Sequence, residues 1–306
     1  HKSSHSFPTR RSSDLIGKPM SVRIFAPAKI NLTLKIARPR ADGYHPLESV
    51  VAFADVGDIV EAEAGDDLSL SIYGDFAEGL STGADNLVLR AASALAEKAG
   101  VPATARLVLE KNLPIASGIG GGSSDAAAAL TALNQLWNLN WPAQRLAEIG
   151  KGIGADVPVF FSGAGAAHMS GVGEVCVPMR MAPLPAVLIN PLQPVPTPAV
   201  YRQFDAMGLG STLRGEAAPD WSAEDDAIEG MGAGNDLEAP AVVIAPVIED
   251  LLTDLRARAG VRHAALSGSG GTVFAIVSDW NTAEALADAL IATHADCWVQ
   301  EAMLGA

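Results

Sequence analysis

The chain is poor in cysteine and in basic residues, and it has no long apolar run. Its 306 residues include two cysteines, Cys176 and Cys297, whose wide separation in sequence indicates no disulfide framework or thiolate metal site. The formal net charge of −14 disfavours binding to nucleic acid or to an anionic membrane. No window approaches a run of about 18 apolar residues, the length that crosses a bilayer. These absences favour a cytoplasmic enzyme with a small-molecule substrate.

Hydrophobic residues make up 49% of the chain, and its length is sufficient for two domains with separate cores. Residues 1–15 differ from the rest because they are basic, rich in serine and without an apolar pattern. A targeting peptide or a basic arm would fit this composition. The segment also resembles a translated sequencing adapter fused in frame, and we interpret it as a non-native tail. The native protein would then begin between residues 16 and 20.

The most informative stretch is a glycine-rich run, LPIASGIGGGSSD, at residues 113–125. Four of residues 118–122 are glycine, so the backbone there can turn sharply and approach a ligand closely. Ser123 and Ser124 then open an alanine-rich helix, whose first N–H groups lack partners within the helix and can bind phosphate. The serine hydroxyls could cap the helix, contact phosphate or reach a magnesium ion. A simple turn is the alternative. The run lacks a Walker lysine and the placement of a dinucleotide fingerprint.

Two charged residues occur in apolar surroundings. Lys29 lies within a strand-like segment, where an unpaired charge is costly to bury. It could protect a sheet edge from aggregation, or it could face a carboxylate or a phosphoryl group. Asp156 could cap a turn, yet it leads into an apolar segment where a free carboxylate is poorly solvated. A lysine and an aspartate in one cleft would suit phosphoryl transfer to a hydroxyl.

Two aromatic segments leave similar alternatives open. Tyr44 and His45 follow a turn and could form a half-buried surface pair, or they could stack on and hydrogen-bond to a nucleobase. Thr197 and Pro198 fit the start of a helix, with Thr197 as its N-cap. That local interpretation does not exclude a Tyr201 ring that faces a ligand. The remaining histidines lack metal-ligand spacing, and we assign them no role.

Local patterns predict an α+β fold, because strands cluster first and helices then alternate with strands. The segment 207–234 is polar and weakly periodic, and it is predicted to be a loop. Helices are predicted at residues 86–99, 124–137, 142–151, 240–259 and 282–293. Strands are predicted within residues 22–36 and at 47–53, 58–63, 68–73, 106–110, 187–190, 264–266, 272–277 and 298–302.

Three stretches together resemble the GHMP kinase superfamily: residues 27–32 (PAKINL), 114–125 (PIASGIGGGSSD) and 266–275 (LSGSGGTVFA). Two more, residues 40–45 (RADGYH) and 154–160 (GADVPVF), are similar to members whose acceptor carries cytidine diphosphate and which act in the non-mevalonate isoprenoid pathway. The resemblance extends from about residue 22 to the C-terminus in consistent order. It implies a two-domain kinase fold with the active site in the cleft between an ATP-binding domain, residues 16–170, and a substrate domain, residues 171–306.

The resemblance also implies a role for individual residues. Asp156 falls at the position of the catalytic base and Lys29 at that of its partner lysine, with ATP and Mg²⁺ as cofactors and Ser124 as a candidate metal ligand. ATP would be bound by Asn86, Lys111, Pro114, Gly118, Gly120, Gly121, Gly122, Ser123 and Ser124. The acceptor, a cytidine-diphosphate derivative phosphorylated on a hydroxyl, would be bound by Asn31, Tyr44, His45, Thr197, Pro198, Tyr201, Gly268, Ser269 and Gly270.

Two other functions compete with this one. Another kinase of the superfamily could act on homoserine, mevalonate or a sugar, although those acceptors have no nucleobase for Tyr44 and His45 to recognise. A non-catalytic sensor could bind nucleotide without transfer, although it would need neither Lys29 nor Asp156. The sequence contains no heptads and does not indicate an oligomeric state.

Overall fold

A computed structural model describes residues 21–215 and 217–306. This part of the chain forms eleven strands, eight α-helices and one short 3-10 helix at Val157–Phe161. The tail that we predicted at residues 1–15 lies outside the described residues. The strands are β1 (Ser21–Asn31), β2 (Lys35–Ile36), β3 (Leu47–Glu63), β4 (Leu68–Tyr73), β5 (Ala105–Glu110), β6 (Ala166–Ser170), β7 (Val175–Met179), β8 (Leu184–Asn190), β9 (Val261–Leu266), β10 (Val273–Val277) and β11 (Trp298–Leu304). The helices are α1 (Leu87–Ala99), α2 (Gly121–Leu136), α3 (Ala143–Lys151), α4 (Thr197–Ala206), α5 (Glu224–Met231), α6 (Glu238–Ile244), α7 (Val247–Ala257) and α8 (Trp280–Thr293).

The strands form one sheet whose central path has the order β4-β5-β3-β11-β8-β10-β9. Strands β1, β2 and β6 also pair with β3, and β7 pairs with β6. β4 and β5 are parallel, whereas β1 with β3 and β8 with β10 are antiparallel. A mainly antiparallel sheet with helices packed on it confirms the α+β prediction.

Strand β3 connects the two halves of the sheet. Its pairing with β1 continues from Asn31 opposite Val51 to Ser21 opposite Glu63, and β11 contacts it at Ala54. The prediction of separate strands at 47–53 and 58–63 is therefore wrong. Residues 54–57 looked like a break because they include aspartate and glycine. The strand nevertheless continues, because Gly57 pairs with Pro27 of β1 and Ala54 pairs with Leu304 of β11, although the β1 register shifts between Pro27 and Lys29. Sequence patterns do not report such pairing.

Helix α2 lies at the centre of the first core. Four consecutive alanines, residues 126–129, are almost completely buried, and their small side chains allow the helix to pack closely on β1, β3 and α1. This core also includes residues of β4, β5 and α3. The loop before α2 is held against this packed layer. The amino-terminal end of α2 is thus a rigid support for a binding site.

A second core lies between β8, β9 and β10 on one side and α4, α6, α7 and α8 on the other. It also takes Leu34 and Ile36 from the first part of the chain. A third cluster joins β1, β3 and β11 to β8 and β10. The boundary at residues 170 and 171 stays a prediction. Among the described residues, none of the helices has both the length and the apolarity needed to cross a membrane.

Three further predictions need correction. Helix α2 starts at Gly121 rather than at residue 124, because Gly120 takes the left-handed conformation that ends the loop. The segment 207–234 contains α5, whose acidic first turn (Glu224, Asp225 and Asp226) stabilises a helix amino terminus. The helix predicted at 240–259 divides at Ala245, because the following Pro246 disfavours helical conformation there. The hairpin of β6 and β7 was not predicted.

Candidate active site

A cleft of about 630 Å³ opens beside the amino-terminal end of α2. The end of β1, the start of β3, residues 114–120, the first turn of α4 and the turn at residues 267–272 surround it. Five of the predicted site residues in the described part of the chain do not line it: Tyr44, His45, Ser124, Pro198 and Gly270. The predicted residues that do are Lys29, Asn31, Asn86, Lys111, Pro114, Gly118, Gly120, Gly121, Gly122, Ser123, Asp156, Thr197, Tyr201, Gly268 and Ser269.

The lysine and aspartate that the sequence singled out meet in this cleft. Lys29 Nζ donates a hydrogen bond of 2.9 Å to Asp156 Oδ2, across 127 residues of sequence. The Lys29 side chain is only 6% exposed, whereas that of Asp156 is 41% exposed. The backbone of β1 fixes the lysine, because Lys29 N–H also donates to the Ile119 carbonyl in the glycine-rich loop. The pair therefore presents one accessible carboxylate directly beside that loop.

The glycine-rich loop ends at the start of α2. Gly120 is the N-cap of α2 with φ 69°, and it makes no side-chain cap. Ser123 and Ser124 lie inside the first turn, so the expectation that their hydroxyls cap the helix is wrong. No acidic residue occupies the first turn, which leaves its N–H groups and the helix dipole available to an anion. The Ser124 hydroxyl is buried and has no hydrogen-bond partner.

Asn86 and Lys111, the other predicted ATP contacts, are engaged by protein groups. Asn86 caps α1, because its Oδ1 accepts from Val88 N–H at 2.9 Å, and its amide donates to the Ser81 carbonyl. Lys111 is 3% exposed, and its Nζ donates to both Asp58 and Asp125. Both residues line the cleft, yet the charge of Lys111 is already neutralised by carboxylates.

The comparisons with known proteins show which family the chain belongs to. Residues 86–164 match the model of the GHMP kinases N terminal domain, and residues 220–296 match that of the GHMP kinases C terminal. The chain is 45% identical over 299 residues to 4-diphosphocytidyl-2-C-methyl-D-erythritol kinase from Rhodopseudomonas palustris, covering 94% of this chain and 99% of the relative. It is 47% identical to the kinase of the same name from Methylorubrum extorquens, covering 91% of this chain and 97% of the relative.

A solved structure gives the same result. The crystal structure of 4-(cytidine 5'-diphospho)-2C-methyl-D-erythritol kinase superimposes with a TM-score of 0.74 at 35% identity, over 93% of this chain and 100% of that one. The chain belongs to the 4-diphosphocytidyl-2-C-methyl-D-erythritol kinase family. As a member of this family and of the GHMP kinases, it is an ATP-dependent kinase of a small molecule.

In this kinase family member, the predicted acceptor residues form two groups. Asn31 is buried two residues after Lys29 in β1, and its amide donates to Ser49 Oγ at 2.8 Å while its Oδ1 has no partner. Thr197 is the first residue of α4 rather than its N-cap, which is Pro196. The Thr197 hydroxyl instead lies 2.7 Å from that of Ser269, because the turn at 267–272 packs against the start of α4.

The aromatic group lies further out. The ring of His45 is 5.0 Å from that of Tyr201, and its Nε2 lies 2.8 Å from Asp205 Oδ1. Burial, with a smaller contribution from Asp156, raises the pKa of the Tyr201 hydroxyl to about 12, so this side chain is neutral. Tyr44 is 63% exposed and stands clear of the cleft. The structure thus brings His45 and Tyr201 together but leaves Tyr44 apart from them.

Sequence reasoning missed Asp58, which this kinase family member buries completely. Its Oδ1 accepts from the backbone N–H groups of Asn112, at 2.6 Å, and Leu113, at 2.8 Å. The same carboxylate pairs with Lys111. Asp58 therefore fixes the segment that enters the glycine-rich loop. An aspartate between apolar residues of a strand (VGDIV, residues 56–60) was the available signal.

Two members of the buried cluster of Asp58, Lys111 and Asp125 have shifted pKa values, namely Lys111 and Asp125. Burial raises the pKa of Asp125 to about 7, although Lys111 acts in the opposite direction. Burial also lowers the pKa of Lys111, but attraction to Asp125 and Asp58 outweighs this and raises it overall. Asp125 Oδ1 has no partner in the described structure. The cluster is thus a charged anchor with one unsatisfied oxygen beside the nucleotide end of the cleft.

Proposed function

We propose that the chain transfers the γ-phosphoryl group of ATP to the 2-hydroxyl of 4-diphosphocytidyl-2-C-methyl-D-erythritol, a cytoplasmic step of the non-mevalonate isoprenoid pathway. The observation that carries this proposal is the pair of Lys29 and Asp156 beside the amino terminus of α2. The names of the relatives support the choice of acceptor. Tyr201, which lines the cleft, adds an apolar face that suits the cytidine base, and the ring of His45 packs against it.

The geometry supports one sequence of events. Lys29 engages Oδ2 of Asp156, so Oδ1 can accept the proton of the acceptor hydroxyl. The hydroxyl oxygen then bonds to the γ-phosphorus while the bond to the bridging oxygen of ADP breaks and ADP leaves with that electron pair. Lys29 offsets negative charge on the transferring group, and the N–H groups at the start of α2 hold the remaining phosphates.

Mg²⁺ is part of the proposal, because the oxygens present suit it. Ser124 Oγ and Asp125 Oδ1 are both buried without hydrogen-bond partners, and hydroxyl and carboxylate oxygens are ligands that Mg²⁺ prefers. Among the described residues, no group of three or more His, Cys, Asp or Glu side chains could hold a metal by itself. We therefore propose that Asp125, which lines the cleft, would hold the ion together with phosphate oxygens, with the neighbouring Ser124 as a further candidate ligand. When bound, the ion neutralises charge on the phosphates.

A coupled assay of ADP release tests the proposal. The panel of acceptors comprises 4-diphosphocytidyl-2-C-methyl-D-erythritol, homoserine, mevalonate and galactose, each with and without the enzyme. ADP release with the first acceptor alone, and a phosphomonoester product by phosphorus NMR, are expected. Turnover only on an acceptor without cytidine would contradict the proposal. ATP binding without transfer to any of the four would instead indicate a nucleotide sensor.

A further inference from the structure

Ser267 connects three segments of the site through one buried hydroxyl. It is the residue before the turn that carries Gly268, and it is completely inaccessible to solvent. Its Oγ accepts a hydrogen bond of 3.1 Å from the backbone N–H of Asn31 and donates one of 3.1 Å to the Gly118 carbonyl. A serine hydroxyl has one donor and two acceptor lone pairs, so these two bonds use its single proton and one of its lone pairs.

The contact between the loop and the turn is made by backbone on both sides. A Cβ added to Gly118 would lie 2.6 Å from the Ser267 and Gly270 carbonyl oxygens, and one added to Gly268 would lie 2.8 Å from the Gly118 carbonyl. Thr272 N–H also donates to the Ser117 carbonyl at 3.0 Å. A side chain at Gly118 or Gly268 would therefore collide with the backbone of the other segment.

The third segment is the end of β1, which contains Asn31, a residue predicted to bind the acceptor. Asn31 follows Lys29 by two residues, and its Oδ1 is buried without a partner near Gly268. The Ser267 hydroxyl holds the backbone of Asn31 and therefore fixes where that oxygen points. On its other side, the same hydroxyl holds Gly118, in the middle of the phosphate-binding loop. One atom thus orients elements of both binding sites.

We propose that Ser267 is a positioning residue shared by the nucleotide site and the acceptor site. Its hydroxyl holds the phosphate loop and Asn31 in a fixed position relative to each other. The proposal rests on the proposed function for the identity of the acceptor. Loss of the hydroxyl weakens nucleotide and acceptor binding together, because each site loses one of the hydrogen bonds that hold it. Neither ligand needs to touch Ser267 for this effect.

Ser267→Ala removes both hydrogen bonds, and Ser267→Cys keeps a weak donor of similar shape. Thr272→Val is the matched control: its hydroxyl is equally buried in the same turn, but it accepts from Asn190 on β8, away from the loop. Calorimetric titration with ADP, and separately with CDP, measures each site. Thermal unfolding of the same samples measures the general cost of losing a buried hydrogen bond.

Ser267→Ala is expected to weaken ADP and CDP binding by about fivefold to tenfold each, the worth of one hydrogen bond. Ser267→Cys should show a smaller loss at both sites, and it decides the matter if the alanine variant does not fold. Thr272→Val should unfold at a similarly lowered temperature with both affinities within about twofold of the unsubstituted protein. Unchanged affinities in the Ser267 variants, a change at one site only, or an equal loss in Thr272→Val would overturn the proposal.

If the proposed function were wrong, the titrations would give a different result. The unsubstituted protein would then bind ADP but not CDP. The ADP titrations of the Ser267 variants would still decide whether this hydroxyl positions the loop, since they involve no acceptor.

Discussion

Two lysines line the same cleft, and the structure gives them opposite environments. Lys29 has one carboxylate partner, Asp156, which is 41% exposed. Lys111 has two partners, Asp58 and Asp125, whose side chains are 0% and 4% exposed. The first pair leaves a carboxylate oxygen free for chemistry at the surface of the cleft. In the second arrangement, the charge of Lys111 is paired with the buried carboxyl groups of Asp58 and Asp125.

The difference follows from the cost of desolvating charge. A buried ammonium group needs compensation, which two buried carboxylates supply. Burial, with a smaller contribution from the nearby Asp58, raises the pKa of Asp125 to about 7. A half-exposed carboxylate keeps part of its hydration and stays available as a base. We therefore propose that Lys29 rather than Lys111 takes part in the reaction, although both line the same cleft. The exposure of its partner distinguishes the two.

Substitution of Asp156 should give the largest effect. In Asp156→Asn the amide oxygen can still accept from Lys29, but the base is lost, and kcat should fall by about three orders of magnitude. Binding of ADP should be unchanged, since Asp156 does not hold the phosphate loop. The coupled ADP-release assay and calorimetry measure the two quantities.

The free energy of unfolding is the control for this variant. It should change by less than about 1 kcal/mol, because the pair is half-exposed. Near-normal turnover in Asp156→Asn would remove this residue from the mechanism.

Lys111→Met should show the reverse pattern. It leaves two buried carboxylates without their cation, which should cost about 3–5 kcal/mol in unfolding free energy. Lys29→Met is the matched control, because it removes the other cleft lysine and leaves a partner that water can reach. Its cost should be about 1 kcal/mol or less, with activity lost instead. Urea denaturation of both variants checks this, and equal losses of stability would show that the two environments do not differ in energy.

Sequence signals predicted the elements whose boundaries are set locally. Helix α1 was predicted at residues 86–99, and the structure confirms it through an Asn86 N-cap and a left-handed Gly100 at its end. The meeting of Lys29 with Asp156 was also anticipated, although its warrant was the resemblance to a kinase family rather than any spacing. Their roles in turnover stay predictions.

The features that were missed depend on residues far apart in the chain. Asp58 meets Lys111 across 53 residues, and His45 meets Asp205 across 160. No local pattern encodes such a pair, because the fold alone decides which charges become neighbours. Strand β3 was divided for the same reason, since strand pairing rather than composition carries it past residues 54–57.

The pH dependence of stability gives the smallest and most specific comparison. The pKa of Asp125 is raised from its ordinary value of 3.8 to about 7, so the folded state binds this proton more tightly than the unfolded state does. Stability from this group is complete below about pH 4 and is lost as the pH rises through about 7. Asp125→Asn cannot ionise. The difference in unfolding free energy, unsubstituted protein minus variant, should therefore decrease between these two pH values and stay level above them.

Asp279 provides a control of opposite sign. It caps α8, and the hydrogen bond from Thr282 N–H lowers the pKa of its carboxyl. Asp279→Asn should therefore lose a contribution that is present at neutral pH and that disappears in the unsubstituted protein as the pH falls below about 4. Urea denaturation from about pH 2 to 8 measures both differences. If the two differences changed with pH in the same direction, Asp125 would ionise like a carboxylate at a helix terminus. The environments of Lys29 and Lys111 would then differ in the positions of their partners but not in the ionisation of those partners.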